Sequence, residues 1–404
     1  MPRIPDSPID VRPPASVAVV LAVFLDLVGF GIVVPQLPLA AARFTSSGLV
    51  IGAVVATDSL FSFLLAPVWG RLSDRVGRRP VILLGLAGSA IAYTVFGLAA
   101  SLAVLFVARI LSGSLGATVN VAQAALADTT PPEQRSRAMG MIGAAFGLAF
   151  TIGPALGGIA SRQGESAPGL LAAIICLLNF LVATVFIRES RTRRTQDWGA
   201  RAHVPRAALL VTFAATLAFT TMYVVFQQYG TQVLGLTRAG ISYAFTLVGL
   251  VSVVVQGRVV RKLAPRIGEL RLVIWGGVLM AAGLALLPLL AGLPTHGAAQ
   301  VAGTGLSVVL LSAGFSLVGP CVAGFVSRTT PADDQGRVLG TLQSIGSAAR
   351  IVGPPLLGAL ADKGGFAAAF GLSALAAGAA GIIAGRWKGR GRETAPAAEP
   401  TSGG

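Results

Sequence analysis

Apolar residues in this chain run in long uninterrupted stretches, and the polar positions are pushed to the ends of each stretch. No charged residue occurs between Pro80 and Ala108, between Ala138 and Ser161, or between Ala207 and Thr237. Each stretch exceeds the ~20 residues with which an α-helix crosses a bilayer. The pattern predicts spans near 15–38, 47–69, 80–100, 102–126, 137–160, 169–187, 207–230, 238–257, 272–292, 298–326, 338–360 and 365–385. The expectation is an all-α membrane protein with twelve transmembrane helices.

Composition agrees with this. The 404 residues are 54% hydrophobic and 12% charged, with a mean hydropathy of +0.77, against roughly 25% charged residues in soluble domains. The formal net charge of +15 invites a nucleic-acid reading, and its distribution answers it. Of the 31 Lys and Arg, 25 fall in segments on the side of both termini and 4 on the opposite side, while Arg109 and Arg350 lie inside spans. That is the positive-inside bias. It predicts cytoplasmic termini in a multi-pass protein of the inner (plasma) membrane, with the lipid bilayer and no nucleic acid as partner. Cys176 and Cys321 both fall in spans and suggest neither a disulfide framework nor a metal site. The N-terminus leads into an apolar run without a small-residue cleavage site and reads as an uncleaved first span. The tail 387–404 is rich in Gly, Ala, Pro and Glu and is expected to be disordered.

The polar segment 188–206 divides the chain near its middle, with a six-helix bundle expected over 1–187 and another over 207–386. The halves are similar in sequence. Ala127–Gly140 reads ADTTPPEQRSRAMG and Ser327–Gly340 reads SRTTPADDQGRVLG, and the same offset of 200 carries Gly153-Pro154 onto Gly353-Pro354 and Gly158 onto Gly358. A loop and the helix after it in one register imply an internal duplication. Paired repeats of this kind place a transport site near the midplane between them.

Span 2 ends in Gly70-Arg-Leu-Ser-Asp74-Arg75-Val-Gly77-Arg78-Arg79-Pro80. The glycines suit a tight turn, Pro80 suits the first turn of the next helix, and the arginines suit an anionic leaflet. Asp74, an acid among arginines, has a use if it pairs with an Arg or with a positive helix N-terminus. This loop resembles the cytoplasmic signature of the major facilitator superfamily. The resemblance implies a gate in which Gly70, Asp74, Arg75, Gly77, Arg78 and Arg79 govern alternating access. The counterpart in the second half, Gly257–Gly268, has no acid. Span 5 carries Gly147, Gly153, Pro154, Gly157 and Gly158, which is similar to the antiporter motif of the drug:proton branch. On residue chemistry alone these glycines allow close helix contact in lipid and the proline marks a kink. Span 1, Leu25 to Pro38, resembles the first helix of tetracycline and multidrug efflux proteins. The further acids that tetracycline efflux proteins carry in spans 3 and 9 are absent here, which shifts proton coupling onto the acids that remain.

Four ionisable residues lie within spans: Asp26, Asp58, Arg109 and Arg350. A charge in hydrocarbon costs at least ~2.5 kcal/mol, so each predicts a site. Two acids and two bases are expected to pair across a cavity, with Asp26 the main proton carrier, Asp58 the second, and both arginines as partners or contacts for a charged substrate. Static salt bridges that fix helix register are the competing account. Asn120 and Gln227 are expected to face the same cavity. The reading that follows is a secondary active transporter of major facilitator fold, a monomer exporting drugs or amphipathic small molecules (tetracycline-like ones included) in exchange for protons. Transport of a metabolite or organic anion, with Arg109 or Arg350 binding it, is the alternative. No nucleophile–base set, metal cluster or Walker loop occurs, so no enzyme, no metal and no cofactor is expected, and the proton gradient is the energy source.

Overall fold

The computed structural model describes residues 15–116, 118–130, 135–189, 204–294, 297–331 and 334–393, and among them the chain is helical throughout with no strand. In lipid every backbone N–H and C=O must bond within its own segment, which an α-helix achieves. The first half contains α1 (Ala15–Val33), the short α2 (Leu37–Ala41), α3 (Gly48–Val76), α4 (Arg78–Gly97), α5 (Leu102–Leu115), α6 (Thr118–Thr129), α7 (Arg135–Ala160) and α8 (Ala167–Phe186). The second contains α9 (Arg206–Thr220), α10 (Val225–Gln232), α11 (Arg238–Val254), α12 (Arg261–Ile267), α13 (Glu269–Leu289), α14 (Ala298–Arg328) and α15 (Gln335–Glu393). Ten helical segments are long and apolar enough to cross a membrane. The shorter α1 adds a passage, and α15 makes two because Gly365, at φ 77°, breaks it. Twelve passages result.

Several expected spans are interrupted. α1 stops at Val33 because Pro35 has no N–H to give, and α2 restarts with Pro38 in its first turn. The fourth passage breaks at Gly116 between α5 and α6. The seventh breaks at a 3-10 turn, Thr221–Tyr223, with Val224 at φ −128° and ψ −63°. The threonine hydroxyls there are engaged elsewhere, Thr220 donating to the Leu217 carbonyl at 2.6 Å and Thr221 to Ser373 Oγ at 2.5 Å. The eighth loosens into a π-turn, Val255–Val260, between α11 and α12. At the C-terminus α15 runs on to Glu393, beyond the point where order was expected to end; Trp387 meets Phe325 edge-on at 4.8 Å and ties this extension to α14. Most of the 188–206 segment and residues 394–404 lie outside the described residues.

Buried apolar side chains gather in two clusters. One is built around Ile32, Leu86, Leu105 and Leu126, the other around Phe226, Phe245, Leu311 and Phe370. Large apolar residues such as Leu64, Leu178, Trp275 and Leu375 stand exposed on the outside, where lipid takes the place of water.

Two pairs of helices join the halves, α7 with α11 and α3 with α15, and glycine sets their distance. A Cβ on Gly153 would lie 2.8 Å from Gly31 Cα in α1, and one on Gly353 would strike Thr220 in α9. A Cβ on Gly158 would lie 2.9 Å from Ser242 in α11, and one on Gly358 would strike Gly48 in α3. The offset of 200 residues thus reproduces the helix contacts as well as the letters.

Candidate functional site

Between the two halves lies a small, partly open cavity, its wall including Phe30, Asp58, Arg109, Tyr223, Arg350 and Pro354. Asp58 reaches it from α3 and Arg109 from α5, and the two form an ion pair at 2.8 Å with side chains only 16% and 3% exposed. Gly113, one turn beyond Arg109, has no room for a Cβ against the Asp58 backbone, so α3 and α5 approach closely enough for the pair to form. Tyr223 comes from the break in the seventh passage, and Arg350 from α15 just before the Gly353-Pro354 step. Arg350 Nη2 donates to Ser347 Oγ on its own helix at 3.0 Å.

Asp26 is elsewhere. It is buried within the first half, faced by the hydroxyls of Ser89 in α4 and Thr118 in α6 and by Cys176 Sγ of α8 at 4.0 Å. Among the described residues no Lys or Arg forms an ion pair with it. The expectation that two acids and two bases would pair is therefore corrected: Asp58 pairs with Arg109, while among the described residues neither Asp26 nor Arg350 has an ion-pair partner. The reason is position, since the Asp26 carboxyl is enclosed by α4, α6 and α8 of its own half and does not line the cavity.

The loop between α3 and α4 forms a compact charged cluster. Arg78 binds Asp74 at 2.7 Å, Asp128 at 3.0 Å and Ser73 Oγ at 2.6 Å. The helix N-terminus of α4 is capped by Glu189 instead of Asp74: the backbone N–H groups of Arg78 and Arg79 donate to its two carboxylate oxygens at 2.7 and 3.3 Å. Gly77 has φ 105°, and a Cβ there would collide with that carboxylate. Arg79 donates to the Thr184 carbonyl at 2.6 Å, Arg75 is exposed, and the Asp74 side chain is 57% exposed. The second half repeats this corner with signs exchanged. Gly268, at φ 85°, stands for Gly77, and Glu269 after it pairs with Arg328, the counterpart of Asp128 at the 200-residue offset.

The two ends of the molecule differ. Opposite the termini, Asp362 of α15 accepts from the Gly48 and Leu49 N–H groups of α3 at 2.8 and 3.1 Å. Gln36 donates to Ser242 Oγ at 2.8 Å, and Glu165 binds both Arg43 at 2.7 Å and Arg238 at 2.6 Å. On the terminus side a Cβ on Gly70, Gly140, Gly143, Gly257, Gly336 or Gly340 would meet nothing within 4 Å. The bonds from Asp362, Gln36 and Glu165 thus join the two halves on the side opposite the termini.

A family model described as the Major Facilitator Superfamily matches residues 19–354 and 306–403. The chain belongs to that superfamily. It is 31% identical to the class C tetracycline resistance protein of Escherichia coli over 86% of this chain and 89% of the relative. It is 27% identical to multidrug resistance protein 2 of Bacillus subtilis (strain 168) over 84% and 87% respectively. The crystal structure of the human organic anion transporter MFSD10 superposes with a TM-score of 0.69 at 25% identity, covering 92% of this chain and 100% of that one. The protein is accordingly a multi-pass facilitator that moves a small molecule across a membrane.

Within this facilitator the motif glycines of α7 serve the seams: Gly153 and Gly157 approach α1, while Gly147 and Gly158 approach α11. Pro154 lies inside α7 and its ring approaches Gly31. Two residues expected in the cavity are not in its wall. Asn120 is exposed on α6, which restarts in a new register after Gly116. Gln227 on α10 is fully buried, and neither its Nε2 nor its Oε1 has a hydrogen-bond partner among the described residues. Sequence reading did not single out Asp128, Glu189, Asp362, Glu165 or Tyr223. The near-repeat of ADTT by SRTT was a usable signal for Asp128, because it sets Asp128 against Arg328.

Proposed function

We propose that this facilitator exports amphipathic small molecules, drugs among them, in exchange for protons by alternating access. The observation that carries the reading is Asp26, a carboxyl buried among helices with no cation to hold it ionised. An ionisable group inside a membrane span marks a proton or substrate pathway, and Asp26 is such a group, enclosed by helices of the first half. Asp58, held by Arg109, is the secondary proton site. The proton gradient supplies the energy without a cofactor, and the chain works as a monomer, performing no covalent chemistry. The efflux direction draws on the resistance relatives, including the tetracycline resistance proteins, and tetracycline is one compound to test.

With both termini in the cytoplasm of an inner-membrane protein, and with the halves bonded to each other opposite the termini, the terminus side is the one that opens to substrate from within the cell. Switching then requires the contacts of Asp362, Gln36 and Glu165 to part while the terminus side closes. Asp74 takes part in that closure: it is exposed at the tip of α3, and its ion pair among the described residues is with Arg78 of its own half. Gly70, Arg75, Gly77 and Arg79 shape the same latch, and the α7 glycines let the seam slide.

Inverted vesicles with an acidified interior provide the test. Adding compounds from a panel of amphipathic drugs, tetracycline included, should release protons from vesicles containing the protein and not from control vesicles. Compound uptake that persists unchanged after an ionophore collapses the pH gradient contradicts proton coupling.

A further inference from the structure

The cavity wall carries two guanidinium groups and one carboxylate. Asp58 is committed to Arg109 at 2.8 Å. Arg350 hydrogen-bonds Ser347 one turn earlier on its own helix, and among the described residues no carboxylate comes within ion-pair distance of it. Asp58 and Tyr223 are the ionisable groups within electrostatic reach of Arg350, and Asp26 faces into the first half. The cavity therefore holds an uncompensated positive charge. Removing a cation from water without a partner costs several kcal/mol even after relaxation, so the site as built lacks one component, an anion.

Two observations separate this from a structural role. Arg350 makes its hydrogen bond within its own helix, so that bond fastens no neighbouring helix. In the repeat, the position 200 residues earlier is Phe150, which packs against Phe30 at 6.0 Å. The first half fills the same place in the fold with an apolar ring, so packing does not demand a charge there. Two aromatic residues share the wall with the Arg350 guanidinium, Phe30 and Tyr223, and Tyr223 is backed by Phe245, stacked at 6.2 Å, and by Phe219, edge-on at 5.8 Å. A planar fork of N–H donors with a donor still free suits a carboxylate, sulfonate or enolate oxygen pair, and the rings suit an apolar body.

We propose that Arg350 is a specificity-determining residue that binds the anionic group of the transported molecule, so that the preferred substrates are amphipathic organic anions with an aromatic body. This rests on the cavity being the transport site.

The test uses three naphthalene compounds of one size and different charge: 2-naphthaleneacetate, its neutral amide, and 2-(2-naphthyl)ethylammonium. Binding is measured by calorimetry to the full chain in lipid nanodiscs. The acid should bind most tightly. Arg350→Gln should weaken the acid by roughly tenfold to a hundredfold, the range for a hydrogen bond to a charged group, and weaken the amide far less. Arg350→Lys should restore part of the acid's affinity. Amide binding by each variant shows that the variant is folded. Equal or tighter binding of the amide or the ammonium compound by the wild type overturns the inference and leaves transport standing. So does an equal loss for all three compounds in Arg350→Gln. Failure of all three to bind the wild type overturns the inference together with the cavity assignment.

Discussion

Asp58 and Arg109 depend on each other more than any other side chains of the cavity. Both are largely buried and joined at 2.8 Å, so losing either leaves a charge in low dielectric with no partner. Removing one member of such a pair costs about 3–5 kcal/mol, whereas replacing both by apolar residues of similar volume is often nearly neutral. Asp58→Asn should therefore lower the unfolding temperature of the purified protein sharply, and Asp58→Leu with Arg109→Met should recover most of that loss. A thermal melt in detergent checks both. The four buried charges were legible in the sequence because charge in hydrocarbon is rare. Their partners were not, because partner choice depends on helix rotation and on the Gly113 contact that draws α5 against α3. Asn120 and Gln227 show the same limit. A polar residue in an apolar run announces itself without saying which way it faces.

At the scale of elements, closure opposite the termini rests on unequal contacts. The Glu165 pairs with Arg43 and Arg238 are exposed, and exposed pairs contribute about 0–1 kcal/mol. Asp362 does more, because it satisfies two free N–H groups at the start of α3 beside the Gly48–Gly358 contact. Loss of a helix cap costs about 0.5–2 kcal/mol, which changes a two-state ratio by about twofold to thirtyfold. Asp362→Ala should shift the population toward the form open opposite the termini. Spin labels at Gln163 and Lys363, exposed on either half of that side, should then show a larger share of long distances. An unchanged distance distribution removes Asp362 from the closure. The turn at Gly77 follows from residue type and was readable in advance, whereas the stop before Pro35 fell inside a span predicted to run on to Pro38. The break at Thr221–Tyr223 has no proline or glycine, and Asp362 fell just past a predicted span, so neither stood out before helices were placed beside one another.

For the whole molecule, the duplication, the two seams and the bonds between halves opposite the termini describe a two-state machine seen in one of its states. Its glycine contacts repeat at an offset of 200 residues, and its charged corners repeat with signs exchanged, so two similar halves work around unlike charges. What makes such a machine an antiporter is a group that must change protonation before the empty carrier can turn over, and Asp26 is assigned that part. Substrate exchange needs no net proton movement, whereas uphill accumulation does. The deciding measurement compares the two in proteoliposomes for wild type and Asp26→Asn, using a compound that the vesicle panel shows to be transported. The account predicts that Asp26→Asn still exchanges labelled for unlabelled compound across the membrane but no longer accumulates it when a pH gradient is imposed. Accumulation by Asp26→Asn equal to that of the wild type would contradict it.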